Sequence, residues 1–294
     1  MKLPIKLNCA GWPAMCSSLS FAFDDPRLLA RELSSLSPAE FTAAISVLQF
    51  GETFKTTRPN RHRQSNELIR TIYRGSTPVI LDVGASDGTT SLDLIVGLNR
   101  DFSNYFVTDL NLWVSCSVGR HGVVYFKDRN GTCILRASKR WLVYSNTTGA
   151  LPLLRLIARR LLAGYRDGVR WRDILLIQPE LVRLAASDPR IVIAPYDMFS
   201  PWTGRRPDLI KIACLLNSRY FSADSMVRSL RMQCSNLSPG GRLLLVSEDI
   251  DVERFSLFRK TSNGMQLEHE HEGGAKAAGY VSPKVDDFVL SQAS

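Results

Sequence analysis

Apolar residues recur at helical spacing over Leu28, Leu29, Leu33 and Leu36, and again over Phe41, Ile45 and Leu48. Between these runs, Ser37-Pro38-Ala39-Glu40 offers an N-cap serine, a proline at the first helical position and an acid in the first turn. The pattern predicts helix from about Asp25 to Gln49, then a polar loop from Lys55 to Ser65 and a short helix from Asn66 to Tyr73. The period then changes. Pro78 to Val83 is a short apolar run with a glycine-bearing turn behind it, Thr90 to Leu98 resumes helical spacing, and Tyr105 to Thr108 is apolar again. Strand, turn, helix and strand in that order make a βαβ unit and imply a parallel sheet.

From Leu110 to Arg190 the alternation breaks. Val123 to Phe126 and Thr132 to Leu135 flank Asp128-Arg129-Asn130-Gly131, a hairpin signal. Leu151 to Tyr165 and Ile174 to Ala186 read as helices, the first mixing leucines with Arg155, Arg159 and Arg160 and followed by Arg166. Beyond this stretch Ile191 to Ala194, Leu209 to Ile212 and Arg242 to Val246 read as strands, and Ser225 to Cys234 as a helix. Phe255 to Phe258 and Met265 to His269 close the chain as a hairpin around Asn263-Gly264. The expected organisation is an N-terminal helical segment and linker at 1–65, then an α/β domain at 66–294 with an insertion at about 112–189.

Composition narrows the class. Hydrophobic residues at 45% and charged residues at 22% describe an ordinary globular chain. The net charge of +9 favours anionic partners. Its only dense run is Arg58, Arg61, His62 and Arg63, and no aromatic-interleaved basic motif appears, so nucleic acid is not the expected partner. The six scattered cysteines form no C-x-x-C pair, which argues against a zinc ribbon or disulfide framework and for reduced thiols in the cytoplasm. Asn8, Pro13 and Ser17-Ser18 interrupt the apolar character of Met1 to Phe23, so no secretory leader is expected there. The Leu151 to Arg166 stretch is the place where peripheral contact with an anionic membrane is expected.

The chemistry concentrates in Leu81-Asp82-Val83-Gly84-Ala85-Ser86-Asp87-Gly88-Thr89. Gly84 and Gly88 let the backbone bend tightly and approach a ligand, with amides exposed at a helix N-terminus. Asp82 would repel a pyrophosphate but suits an ammonium-bearing ligand. Asp109 ends the next strand, where an acid accepts from ribose hydroxyls. Asp197-Met198 follows the third strand, suited to an adenine amino group and a ring face.

These pieces, with the Asp208-led strand and Leu237-Ser238-Pro239-Gly240-Gly241, resemble the class I S-adenosylmethionine-dependent methyltransferases. Pro207-Asp208-Leu209-Ile210 through Cys214-Leu215-Leu216-Asn217 and Tyr220-Phe221 is nearest to the chemotaxis-receptor (protein-glutamate) enzymes. The resemblance implies a doubly wound, mostly parallel Rossmann-like core with N-terminal helices, a middle insertion and a C-terminal antiparallel hairpin. It implies S-adenosyl-L-methionine as cofactor, held by Asp82, Gly84, Ala85, Ser86, Gly88, Asp109, Leu110, Asp197, Met198 and Cys214. Asn217, Arg219 and Tyr220 would then meet a small-molecule, lipid-linked or protein acceptor.

Two other readings remain. Gly84-Ala85-Ser86-Asp87-Gly88 also fits the G-x-S-x-G nucleophile elbow of α/β-hydrolases, with His269 or His271 as base. A catalytically silent cofactor-binding or membrane-associated protein would carry the same loop. Glu268-His269-Glu270-His271-Glu272 alternates like an edge strand, and no metal site is expected from it.

Overall fold

The computed structural model describes residues 4–7, 25–148, 150–163, 170–249 and 252–281. Cys9, Cys16, Tyr165, Arg166 and most of Met1 to Phe23, on which some expectations rest, lie outside the described residues. The chain divides into two compact units. One joins Met1–Thr57 to Asn111–Val182, and the other joins Arg58–Leu110 to Arg183–Ser294. The described residues up to Thr57 therefore group with those of Asn111–Val182.

The second unit holds the candidate site. Its strands are β1 (Val79–Val83), β2 (Asn104–Asp109), β3 (Ile191–Pro195), β4 (Leu209–Ala213), β5 (Arg242–Asp249), β6 (Val252–Thr261) and β7 (Gly264–His271). They form one sheet in the order β3-β2-β1-β4-β5-β6-β7. The first five are parallel, and β6 and β7 are antiparallel additions. This is a doubly wound Rossmann-like sheet whose strand order reverses between β1 and β4. Every residue of β1 is buried, as a parallel strand covered on both faces requires. Helices α1 (Arg63–Ile72), α2 (Thr89–Gly97) and α3 (Ala223–Asn236) belong to the same unit. Met226, Leu230 and Cys234 recur at i, i+4 and i+8 on α3 and join a core with Ile210, Ile212, Leu243 and Leu245.

Asp208 ties the amino end of the sheet together. Its carboxylate accepts from the Val79 amide at 2.9 Å and the Ser238 hydroxyl at 2.8 Å, so the turn before β5 is fixed against β1.

The first unit is an antiparallel sheet of six strands. In spatial order they are Ile5–Leu7, Trp141–Tyr144, Cys133–Ala137, Val124–Lys127, Trp113–Val118 and Arg172–Leu175. The Pro38–Ser46 helix begins in a complete capping box, with Ser37 and Glu40 satisfying each other's amides. Phe41, Ile45 and Leu48 pack it into a core with Val114, Phe126, Leu135 and Leu142. Ahead of it, Pro26–Ala30 and Leu33–Ser35 are short 3-10 turns, so the expected long helix from Asp25 is broken. The expected helix from Ile174 to Ala186 is also corrected. Its first residues are strand, and helix starts only at Pro179 and runs to Ser187. A continuous apolar run such as Ile174-Leu175-Leu176-Ile177 has no period that separates strand from helix.

Candidate functional site

The loop from β1 to α2 bends through three residues with positive φ: Gly84 at 73°, Ser86 at 60° and Gly88 at 79°. Five amides between Gly84 and Thr89 are already used. Gly84 and Ala85 both donate to the Thr108 carbonyl at 2.9 Å, Ser86 donates to Asp109 Oδ2 at 3.0 Å, Gly88 donates to the Ala85 carbonyl at 2.9 Å and Thr89 donates to Asp87 Oδ1 at 2.8 Å. The expectation of amides presented to an anionic ligand is therefore corrected at these five positions: a phosphate there would have to displace an internal acceptor. The close approach that Gly84 permits is also taken within the protein, because an added Cβ would lie 2.6 Å from Leu215 Cδ2. Ala85 is buried beside it.

Asp82 does not face a ligand's ammonium group. Its carboxylate, 2% exposed as a residue, accepts from Ser91 Oγ at 2.8 Å and Tyr105 Oη at 2.9 Å. Lys211 Nζ lies 3.4 Å from the same oxygen and the same distance from the Thr90 carbonyl. The register places Lys211 directly beside Asp82 across β1 and β4. The ammonium that Asp82 was expected to meet is this buried lysine. Burial, then the Asp82 charge, holds the Tyr105 phenol well above its ordinary pKa, so it remains a donor.

Asp109 stands at the carboxyl end of β2, half-buried, and accepts from the Ser86 amide. Leu110 follows it, 54% exposed. Past β3, Asp197 Oδ1 accepts from the Phe199 amide at 3.0 Å and shapes the turn. Met198 is buried in the hydrophobic core, and its carbonyl accepts from Gln233 Nε2 at 2.7 Å.

The segment past β4 begins at Cys214, whose φ is 55°. Its Sγ lies 3.8 Å from His62 Nε2. His62 is buried at the start of α1, and its Nδ1 has no hydrogen-bond partner. Burial first, then the charges of Lys211, Arg61 and Arg58, push the imidazole well below its usual pKa and keep it neutral. Burial likewise raises the Cys214 thiol, so the pair is a thiol and a neutral imidazole. Asn217 Oδ1 accepts from the Arg219 amide at 3.0 Å, and the Asn217 carbonyl accepts from Tyr220 and Phe221. Arg219 is exposed and Tyr220 half-buried, while Phe221 packs edge-on against Phe199 at 5.8 Å.

Two arginines of the basic run ahead of α1 are paired with an acid. Arg58 and Arg61 reach the two oxygens of Glu248 at 2.5 and 2.7 Å, and Glu253 accepts from the Gln64 and Ser65 amides.

The hydrolase arrangement does not assemble. His269 and His271 sit on β7, four strand spacings from β1, or about 19 Å at 4.8 Å each. His271 stacks on Phe255, and Glu268 is held by Arg242. Among the described residues no group of three or more His, Cys, Asp or Glu is placed to hold a metal ion.

The sequence pattern assigned no site role to His62, Lys211 or Leu215. Only Lys211 carried a local signal, since a lysine inside Leu-Ile-Lys-Ile-Ala must find an acid if that strand is buried.

No protein-family model and no curated protein matches the chain. Among solved structures it is similar to the S-adenosylmethionine-dependent methyltransferase SibL in its apo form, at 16% identity over 63% of this chain and 35% of that one, with a TM-score of 0.31. It is similar to the glycopeptide N-methyltransferase MtfA complexed with S-adenosyl-L-homocysteine, at 12% identity over 64% and 52%, TM-score 0.32. The N-methyltransferase NodS from Bradyrhizobium japonicum WM9 matches at 14% identity over 64% and 62%, TM-score 0.31. The chain thus spans from about a third to three fifths of these proteins' lengths.

Proposed function

We propose that the Rossmann-like unit binds S-adenosyl-L-methionine and transfers its methyl group to an acceptor outside the protein. The carrying observation is Asp109. A half-buried carboxylate ends β2 beside the strand-order reversal, where ligands of such sheets bind, and it leans on a glycine loop with the amides of Gly84, Ala85, Ser86, Gly88 and Thr89 already satisfied. That donor set suits a nucleoside carrying ribose hydroxyls and no phosphate. A dinucleotide would need the amides that Thr108, Asp109, Ala85 and Asp87 occupy.

In this reading Asp109 accepts from the ribose hydroxyls, and Gly84 to Gly88 form the wall beside them. Asp197 borders the base through whatever acceptor capacity the Phe199 amide leaves. When bound, the cofactor supplies an electrophilic methyl group with a neutral leaving group, so the protein's task is chiefly alignment. Asn217, Arg219 and Tyr220 meet the acceptor: Asn217 keeps its amide donors free of the turn that its oxygen closes, and Arg219 offers an anion partner. The acceptor is a small or lipid-linked molecule, or a protein carboxyl or hydroxyl.

Calorimetry with S-adenosylhomocysteine tests the cofactor reading. Micromolar binding, about −8 kcal/mol, is expected for the wild type and a loss of at least about tenfold for Asp109→Ala. No binding to the wild type sinks the proposal, and equal affinity in both proteins removes Asp109 from the site.

A further inference from the structure

The Pro152–Leu162 helix of the first unit has two apolar stripes, where folding needs one. Leu154, Ala158 and Leu162, at i, i+4 and i+8, are the residues it buries or half-buries as it packs against the Cys133–Ala137 and Trp141–Tyr144 strands. Leu153, Ile157 and Leu161 form a second row at the same spacing, with Leu156 beside it, and all four are exposed, Leu153 at 67% and Leu156 at 54%. Leu151, just before the helix, is exposed as well.

The charges around this second stripe have one sign. Arg155, Arg159 and Arg160 are exposed, and no acid occurs from Leu151 to Ala163. A basic turn lies between the two strands beneath the helix: Lys139 and Arg140 are exposed and lead into Trp141, 44% exposed.

We infer that this helix docks on an anionic lipid bilayer, with Leu153, Leu156, Ile157 and Leu161 entering the headgroup boundary. Arginine side chains flanking such a stripe extend their charged ends to lipid phosphates while their stems remain among the acyl chains. Tryptophan beside basic residues suits the same interface. The one-signed charge selects a bilayer over a second copy of this face, since two such helices would bring six arginines together. Among the described residues no helix is long and apolar enough to cross a membrane, so the contact is a surface one. This inference stands apart from the cofactor reading.

The test is flotation of the full chain with phosphatidylcholine vesicles made with and without phosphatidylglycerol. Binding is expected only to the anionic vesicles, weakening as salt rises. Arg159→Glu with Arg160→Glu should lower partitioning more than roughly tenfold, and Leu153→Ser with Leu156→Ser should abolish it. Both pairs are exposed, so unchanged thermal unfolding verifies the fold. Absence of binding to anionic vesicles, or binding that survives both double variants, overturns the inference. So does a concentration-dependent dimer in sedimentation that Leu153→Ser with Leu156→Ser dissolves, since the stripe would then be a protein interface.

Discussion

Replacing Lys211 by methionine keeps the side chain's bulk and removes the cation that, among the described residues, pairs with Asp82. The carboxylate keeps its hydrogen bonds from Ser91 and Tyr105 but has no counter-charge, in a strand where neighbouring residues are fully buried. Breaking a buried pair by removing one partner costs about 3–5 kcal/mol. Adding Asp82→Asn removes the stranded charge, so the double variant should recover most of that loss, a coupling of at least about 2 kcal/mol. With two compact units a single melting curve mixes events, so amide exchange within β1 and β4 is the proper reading. Their opening free energy should fall in Lys211→Met and return in the double variant. S-adenosylhomocysteine affinity of folded Asp82→Asn should stay within roughly a factor of three, under about 0.7 kcal/mol. A Lys211→Met protein with unchanged exchange would refute the ion-pair account. A large loss of affinity in folded Asp82→Asn would return that carboxylate to the ligand.

Two further outcomes follow from the same edge of the sheet. Gly84→Ala should destabilise the second unit by about 1–2 kcal/mol through its positive φ alone, and should still do so in a Leu215→Ala background that relieves the clash; full rescue there would mean that the contact and not the backbone sets the cost. The buried His62 is neutral in the fold but takes a proton when unfolded, so its pKa is lowered on folding and stability falls as pH drops below the unfolded value of about 6.5, by at most about 1.4 kcal/mol per pH unit. Above that value neither state binds the proton and the dependence vanishes; urea titrations of wild type and His62→Gln between pH 7 and 5 should differ in slope, and parallel slopes would show that His62 is protonated inside the fold.

The two units differ in how far their sequences expose them. Val79-Ile80-Leu81-Asp82-Val83 followed by Gly84 and a helical period is a local signal, and the alternation from Ile191 to Val246 repeats it. The first unit's sheet depends on partners distant in the chain, such as Ile5 opposite Val143, and Trp113–Val118 alternates too weakly to announce itself. The amphipathic Leu151 helix was visible from its arginines. Which of its apolar residues face outward was not, because Leu153 and Leu154 adjoin in sequence and separate only once the helix has a sheet to lie on.

The site shows the same division between local and long-range information. An acid before a glycine loop is a one-dimensional fact, and by charge alone it suits a ligand's ammonium group. Lys211 lies 129 residues away and reaches Asp82 only because β4 pairs with β1 in one particular register. Shift that register by one residue and the lysine would project from the opposite face of the sheet. The carboxylate would then keep Ser91 and Tyr105 but lose its counter-charge. Ligand preference at this edge therefore rests on which polar groups the fold has already satisfied. Asp82 and five loop amides are spoken for within the protein. Asp109, a strand end away, is the half-buried carboxylate that accepts from the Ser86 amide, and it is where the cofactor reading stands or falls.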